Sequence, residues 1–273
     1  MSGKKRIIAI IMMLTMLMSL VACADEAETA PESDLEYIRE KGTLVVGVTD
    51  FAPMDYRDEN GEWIGFDADM AAAFADSIGV ELRLVEIDWD NREISLDSKV
   101  VDCLWNGMTI TDEAIFAMSC SNAYCRNSQI VVVTNDNADL YNSMDAVRKL
   151  TFAVEAGSAA EDVAVDGDYD YIPVATQADA LKAVAKGQVD AAIVDSMMAI
   201  ATVGDGTEYE NLTCTVELSC EQYGVGVRKN SDLRDAINEF LIESYSDGTM
   251  IECADRYDIT DALDPQIGVP QPE

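Results

Sequence analysis

The feature that most narrows the fold of this 273-residue chain is a repeated alternation of short apolar runs with longer stretches of helical periodicity. Leu44 to Val48 is a continuous apolar run of strand length. Asp67 to Ile78 places Met70, Phe74 and Ile78 on one helical face, with Asp67 as the expected N-cap and Gly79 as the residue that closes the helix. Val80 to Glu86 then alternates apolar and polar, the period of a half-buried strand. Strand, helix, strand in this order predicts parallel pairing, because a helical crossover returns the chain in its original direction.

The same alternation recurs. Strands are expected at Val101 to Trp105, Ile130 to Val133, Thr151 to Val154, Asp190 to Val194 and Tyr223 to Val227. Helices are expected from Asp112, over Ser143 to Arg148, and from Thr176 to Lys186 with Gly187 as the stop. A last one follows a Ser231 cap, with Leu233, Ile237, Phe240 and Leu241 on its apolar side. The fold class is therefore α/β. No internal repeat and no Gly/Ser tether divides the chain, so two bodies would be joined by short extended segments. Two candidates, around Gln129 to Thr134 and around Leu218 to Val225, suit a hinged two-lobe architecture in which the chain leaves one lobe and returns to it.

The first 22 residues read as a targeting segment: Lys4, Lys5 and Arg6 precede an apolar stretch from Ile7 to Met18, too short to span a bilayer comfortably. Leu20-Val21-Ala22-Cys23 resembles the cleavage site of bacterial lipoproteins, which implies cleavage before Cys23 and lipidation of that residue. The alternative is an ordinary secretory peptide with a cysteine by chance. Residues 24–35, rich in Ala, Glu, Asp, Pro and Ser, read as a tether, and the Pro-containing end from Asp264 reads as loose.

Loss of residues 1–22 removes three of the 18 basic residues and none of the 52 acidic ones, leaving 15 against 52 and a net charge of −37. That balance argues against nucleic acid, whose phosphates need clustered Lys and Arg. It fits either a solvated acidic surface or a field that draws in cationic or zwitterionic solutes. The chain contains no histidine, which removes Ser-His-Asp and Cys-His catalysis and His-containing zinc sites together. With Cys23 lipidated, Cys103, Cys120, Cys125, Cys214, Cys220 and Cys253 remain, an even number that permits up to three disulfides; Cys103, in an apolar strand, reads instead as a small buried hydrophobe. Gly-rich phosphate cradles are absent, and Asp166-x-Asp168-x-Asp170 lacks the later positions of a calcium loop and reads as a polar turn. No cofactor is expected.

Several motifs fall in a fixed order. They are Phe51-Ala52-Pro53-Met54, Gly65-Phe66-Asp67-Ala68-Asp69, Asp88-Trp89-Asp90, Gly107-Met108-Thr109-Ile110-Thr111, Glu155-Ala156-Gly157-Ser158, Ala191-Ala192-Ile193-Val194-Asp195 and Tyr223-Gly224-Val225-Gly226-Val227. Together, over roughly residues 36–258, they resemble the type II periplasmic solute-binding proteins of family 3, the amino-acid-binding components of ABC importers. The resemblance implies a two-lobe fold with a ligand cleft between the lobes and a division into a signal peptide (1–22), a lipidated tether (23–35), lobe 1 (36–130 and 223–262), lobe 2 (131–222) and a loose tail (263–273). It also implies an ABC permease and a membrane surface as partners, and a monomer.

At matching positions, Phe51 and Trp89 are expected to sandwich the ligand side chain, with core packing as the alternative for either ring. Asp195 is expected to receive an α-ammonium, or to cap the helix that follows, or both. Ser158 and the amides beside it are expected to receive an α-carboxylate, and Asn106, Gly107 and Thr109 supply further polar contacts. Two positions depart from the family. Ala114 stands where relatives carry an arginine that grips the carboxylate, so that Arg92 or Arg126 takes over, or backbone groups do, or the ligand lacks a carboxylate. Glu155 is the second departure, an acid facing the cleft that favours a positive ligand end. The expected function is capture of a polar amino acid or related small amine rather than catalysis, with an enzyme on the same fold or a non-transporting sensor as alternatives.

Overall fold

The computed structural model describes residues 33–266. The signal segment, Cys23 and most of the tether lie outside the described residues. Folded structure begins earlier than the sequence suggests: the Ser33 hydroxyl accepts the Glu36 amide at 3.0 Å and caps the helix Asp34–Lys41.

Two sheets organise the chain. The first runs in the order Glu81–Glu86, Thr43–Val48, Cys103–Thr109, Glu221–Val227, Ser119–Cys120, with Cys125–Asn127 also pairing against Glu221–Val227. Thr43–Val48 is parallel to both of its neighbours, as the strand-helix-strand pattern predicts, whereas Glu221–Val227 returns antiparallel. The second sheet runs Asp170–Val174, Thr151–Glu155, Ala191–Asp195, Gln129–Thr134, Leu212–Glu217, and its last two strands are antiparallel to what precedes them.

The helix Phe66–Ile78 buries Met70 and Phe74 and ends at a left-handed Gly79. Its N-cap is Gly65 rather than Asp67, because the helix starts two residues earlier and carries Asp67 into the interior. Phe74 meets the Trp105 ring at 6.1 Å, and Trp105 meets Tyr124 and Phe240 at 6.4 and 6.3 Å, which gives the first lobe an aromatic centre. The second core is aliphatic around the Phe152 and Tyr169 pair, whose rings stand 5.3 Å apart, with Val131, Val133, Phe152, Val154 and Ile193 fully buried.

Smaller differences from the sequence reading have local causes. The helix expected over Ser143 to Arg148 is the single turn Met144–Val147. Asp232, not Ser231, is the N-cap of Leu233–Asp247, although the Ser231 hydroxyl still accepts the Leu233 amide at 3.3 Å. Residues 264–266 are not loose: the Asp264 amide donates to the Tyr124 carbonyl at 2.8 Å, and Gln266 is buried. All six cysteines from Cys103 to Cys253 are free thiols. No helix among the described residues is long and apolar enough to cross a membrane.

The chain passes from the first sheet to the second between Asn127 and Gln129 and back between Glu217 and Glu221. These crossings lie side by side, since Glu221 pairs with Asn127 and the Leu218 amide donates to the Gln129 carbonyl at 2.8 Å. Two adjacent extended segments form a hinge and carry the second lobe on a narrow base.

Candidate functional site

The cleft between the lobes collects residues from the ends of strands in both sheets. Its first-lobe wall holds Thr49, Phe51, Trp89, Arg92, Asn106, Gly107 and Thr109; its second-lobe wall holds Glu155, Gly157, Ser158, Asp162, Gln177 and Asp195. All eight expected site residues therefore line one cavity. The cavity is about 30 Å³, room for on the order of two water molecules, because the walls touch at one corner. There Gly157 has φ +71°, and a β carbon on it would stand 2.8 Å from the Asp90 Cα of the opposite lobe. Across the same corner Arg92 Nη1 donates to the Gly157 carbonyl at 2.6 Å.

Phe51 and Trp89 are 2% and 7% exposed, and each presents to the cleft only the part of its ring that packing leaves free. Phe51 meets Tyr223 edge-on at 6.2 Å and lies against Gly107, while Arg92 stands 5.3 Å from the Trp89 ring. The polar floor is fixed from behind. Asn106 accepts the Thr49 amide at 3.0 Å and donates to Asp55 Oδ2 at 2.7 Å, and the Gly107 amide donates to Asp67 Oδ2 at 2.6 Å, which also accepts the Tyr124 hydroxyl at 2.7 Å. Burial pushes Asp67 up to about 7 and, together with the Asp67 charge, holds Asp55 well above the usual carboxylate range.

Asp195 ends the strand Ala191–Asp195 and makes no side-chain cap bond to the helix Ser196–Thr202. It turns into the hinge instead. Its Oδ1 accepts Asn127 Nδ2, Gln129 Nε2 at 2.8 Å and the Tyr223 hydroxyl at 2.7 Å, and its Oδ2 accepts Gln177 Nε2. Three donors saturate Oδ1, so Oδ2 is the atom with spare acceptor capacity. Burial and the neighbouring Glu221 charge raise the Asp195 carboxyl well above its ordinary range.

Glu155 is 3% exposed, and its Oε1 has no hydrogen-bond partner. Burial lifts its carboxyl from the ordinary 4.5 to about 8, with Asp88 adding to the rise and Arg92 opposing it. A folded protein that keeps a proton the unfolded chain has lost becomes less stable as pH climbs. Between about pH 5 and pH 8 this one group is expected to cost on the order of 3 kcal/mol. Denaturant titration of wild type and Glu155→Gln across that window isolates it: the variant should gain relative stability as pH rises. A difference that stays constant with pH would show that Glu155 is not held protonated.

Of the two arginines proposed to stand in at Ala114, Arg92 lines this cavity. Arg126, paired with Asp264 and the Leu263 carbonyl, lines an adjoining cavity of about 600 Å³ that shares Thr109, Thr111, Ala159 and Asp162 with the first. Ala114 itself is buried in the helix Asp112–Ala117, where its amide donates to the Thr111 hydroxyl at 3.0 Å. Asp162, Gln177 and Tyr223 were not legible as site residues. A Gln at the first position of a helix carries no pattern of its own, and only the adjacency of strand ends shows what it faces. Among the described residues, no group of three or more His, Cys, Asp or Glu side chains is placed to hold a metal ion.

A family model for bacterial extracellular solute-binding proteins, family 3, matches residues 44–260. The chain belongs to that family. As a family 3 protein it shares the two-lobe fold, and the family's description is one of extracellular solute binding. It is 29% identical to the L-cystine-binding protein TcyJ of Escherichia coli (strain K12), over 90% of this chain and 94% of the relative. A mutant of ArgBP from T. maritima superimposes with a TM-score of 0.77 at 31% identity, covering 82% of this chain and 99% of that one. A cyclohexadienyl dehydratase from Pseudomonas aeruginosa is 37% identical over 98 residues, 36% of this chain and 37% of the enzyme. That match covers a segment of the chain, whereas the match to TcyJ covers most of it.

Proposed function

We propose that this protein is the lipid-anchored, extracytoplasmic receptor of an ABC importer, and that it captures a polar amino acid or related small amine by closing its lobes. The observation that carries this reading is the convergence of Phe51, Trp89, Asn106, Gly107, Thr109, Glu155, Ser158 and Asp195 on one cavity between two lobes joined by paired crossings. Relatives whose names record cystine or arginine binding support the solute class.

A cavity of about 30 Å³ admits no amino acid, so entry needs the lobes to part at the Gln129 and Glu221 crossings. Contacts made only when both walls touch the solute then shift the balance toward closure. Micromolar affinity corresponds to about −8 kcal/mol. A charge-assisted hydrogen bond at about 1.5–3 kcal/mol, with apolar burial between the aromatic rings, supplies much of that. Two or three acyl chains on Cys23, at about 0.8 kcal/mol per buried methylene, hold the receptor at the membrane.

Isothermal titration calorimetry of the purified protein against amino acids and their amine counterparts tests the reading, with a dissociation constant near or below the micromolar range expected for at least one. Absence of binding across both sets would sink it. For the anchor, Cys23→Ser should move the protein from the membrane to the soluble fraction. A second reading, turnover of the bound compound, draws on one observation: a carboxyl at about 8 inside a narrow cleft has the profile of a general acid. Mass-spectrometric recovery of the added compound unchanged would dispose of it.

A further inference from the structure

We infer that the cleft selects a cation without a carboxylate, an aliphatic amine or guanidine, over the amino acid that carries the same cationic end. This rests on the receptor reading and narrows it.

The charged side chains that line the cavity are three acids and one base: Glu155, Asp162 and Asp195 against Arg92. That base is committed through one nitrogen, while its Nε is buried without a partner. Arg92 Nη1 donates to the carbonyls of Gly157 at 2.6 Å and Trp89 at 3.1 Å, and the guanidinium stands over the Trp89 ring.

Several of the groups suited to receive an anion are taken by the chain's own atoms. The strand-to-helix turn that opens Ala159–Asp166 points amides at the cleft, a natural anion cradle. Here the chain fills it with its own carboxylate, as the Gly157 amide donates to Glu161 Oε2 at 2.7 Å. The Ser158 hydroxyl donates to the Glu155 carbonyl at 2.8 Å and accepts the Ala160 amide at 3.2 Å. On the facing wall, the Thr111 hydroxyl is bound to the Ala114 amide, and Ala114 offers only a methyl group.

The acids show the opposite pattern. Glu155, buried and lining the cavity, has an Oε1 with no partner, and leaving a buried carboxyl oxygen unmatched in an enclosed site is costly unless a donor arrives. Burial, Glu113 and Asp166 raise the Asp162 carboxyl, as expected of an acid facing further acids. An ammonium or guanidinium supplies donors and charge together. A bare metal ion is the poorer match, since no three ligating side chains among the described residues converge. An organic cation also brings methylenes that Phe51 and Trp89 can cover, with attraction between the charge and the rings.

Matched pairs provide the test. The purified protein is titrated calorimetrically with arginine and agmatine, lysine and 1,5-diaminopentane, and ornithine and 1,4-diaminobutane, at pH 8 and constant ionic strength. In the pair that binds most tightly, the decarboxylated member should bind at least tenfold tighter. Equal or tighter binding of the amino acid overturns this inference and leaves the receptor reading standing; no binding by any of these or by neutral amino acids overturns both. Glu155→Gln, shown folded by its melting curve, should weaken the amine at least tenfold, and unchanged affinity would also overturn the inference.

Discussion

Asp195→Ala is expected to destabilise the protein by about 3 kcal/mol and to abolish measurable capture of a cationic solute. Removing the carboxylate leaves the buried Tyr223 hydroxyl and Gln177 Nε2 without acceptors, at about 1–3 kcal/mol each. Asn127 and Gln129 lose less, because both also donate to Glu221 Oε1, at 2.5 and 2.8 Å. Relief of the repulsion between Asp195 and Glu221 offsets part of the loss, which keeps the expected figure near the lower end for a broken buried charge network. Asp195→Asn should fall between wild type and alanine, since it keeps one acceptor but turns an NH2 group toward other donors. Urea denaturation and calorimetry read both effects. A variant that unfolds at the wild-type midpoint would mean that the hinge does not depend on this carboxylate.

The second large effect is expected at Gly65. Its φ is +134°, and a β carbon there would lie 2.1 Å from the Met54 carbonyl oxygen, 2.5 Å from the Met54 carbonyl carbon and 2.9 Å from the Pro53 oxygen. These are backbone atoms that cannot swing aside, and they accept the Phe66 and Asp67 amides at 2.9 Å each, so they also hold the first turn of Phe66–Ile78. Gly65→Ala is therefore expected to cost more than about 3 kcal/mol, combining backbone strain with overpacking. Gly61→Ala is the control: its φ is also positive, +84°, but nothing lies within 4 Å of the added carbon, so about 1 kcal/mol is expected. If thermal melts place the two variants together, the close approach at Gly65 is not what demands glycine.

The sequence carried the repeating architecture because apolar period and helix caps are local. Thr43–Val48, Phe66–Ile78 with its Gly79 stop, and the helix Gln177–Ala185 behind Thr176 all follow from neighbours within a few residues. What it could not carry were roles decided by distant partners. Asp67 reads as a cap because an acid near a helix start usually is one, yet Tyr124 and Gly107, far along the chain, turn it into a support beneath the cleft. Arg92 and Arg126 looked equivalent by proximity, and only strand order separates them. Glu161 stands in the first turn of Ala159–Asp166, where an acid favours the helix dipole. Its use of the Gly157 amide appears only once the turn is built. The family motifs, by contrast, pointed to the eight cleft residues as a group: Glu155, Asp195 and Thr109 end strands, Asn106 and Gly107 precede Thr109 in the same strand, and Phe51, Trp89 and Ser158 follow strands.

The Arg92 to Gly157 bond has a kinetic meaning as well. It ties the lobes together with the protein's own atoms, at the corner where their backbones already touch. A solute reaches the cleft only through the fraction of molecules in which that tie has parted, so the affinity measured in solution is the intrinsic affinity scaled down by that fraction. Arg92 is thus expected to act as a latch on the cleft, which replacing it with alanine would loosen. Loosening it should enlarge that fraction, so that capture quickens and the affinity read by titration rises with it.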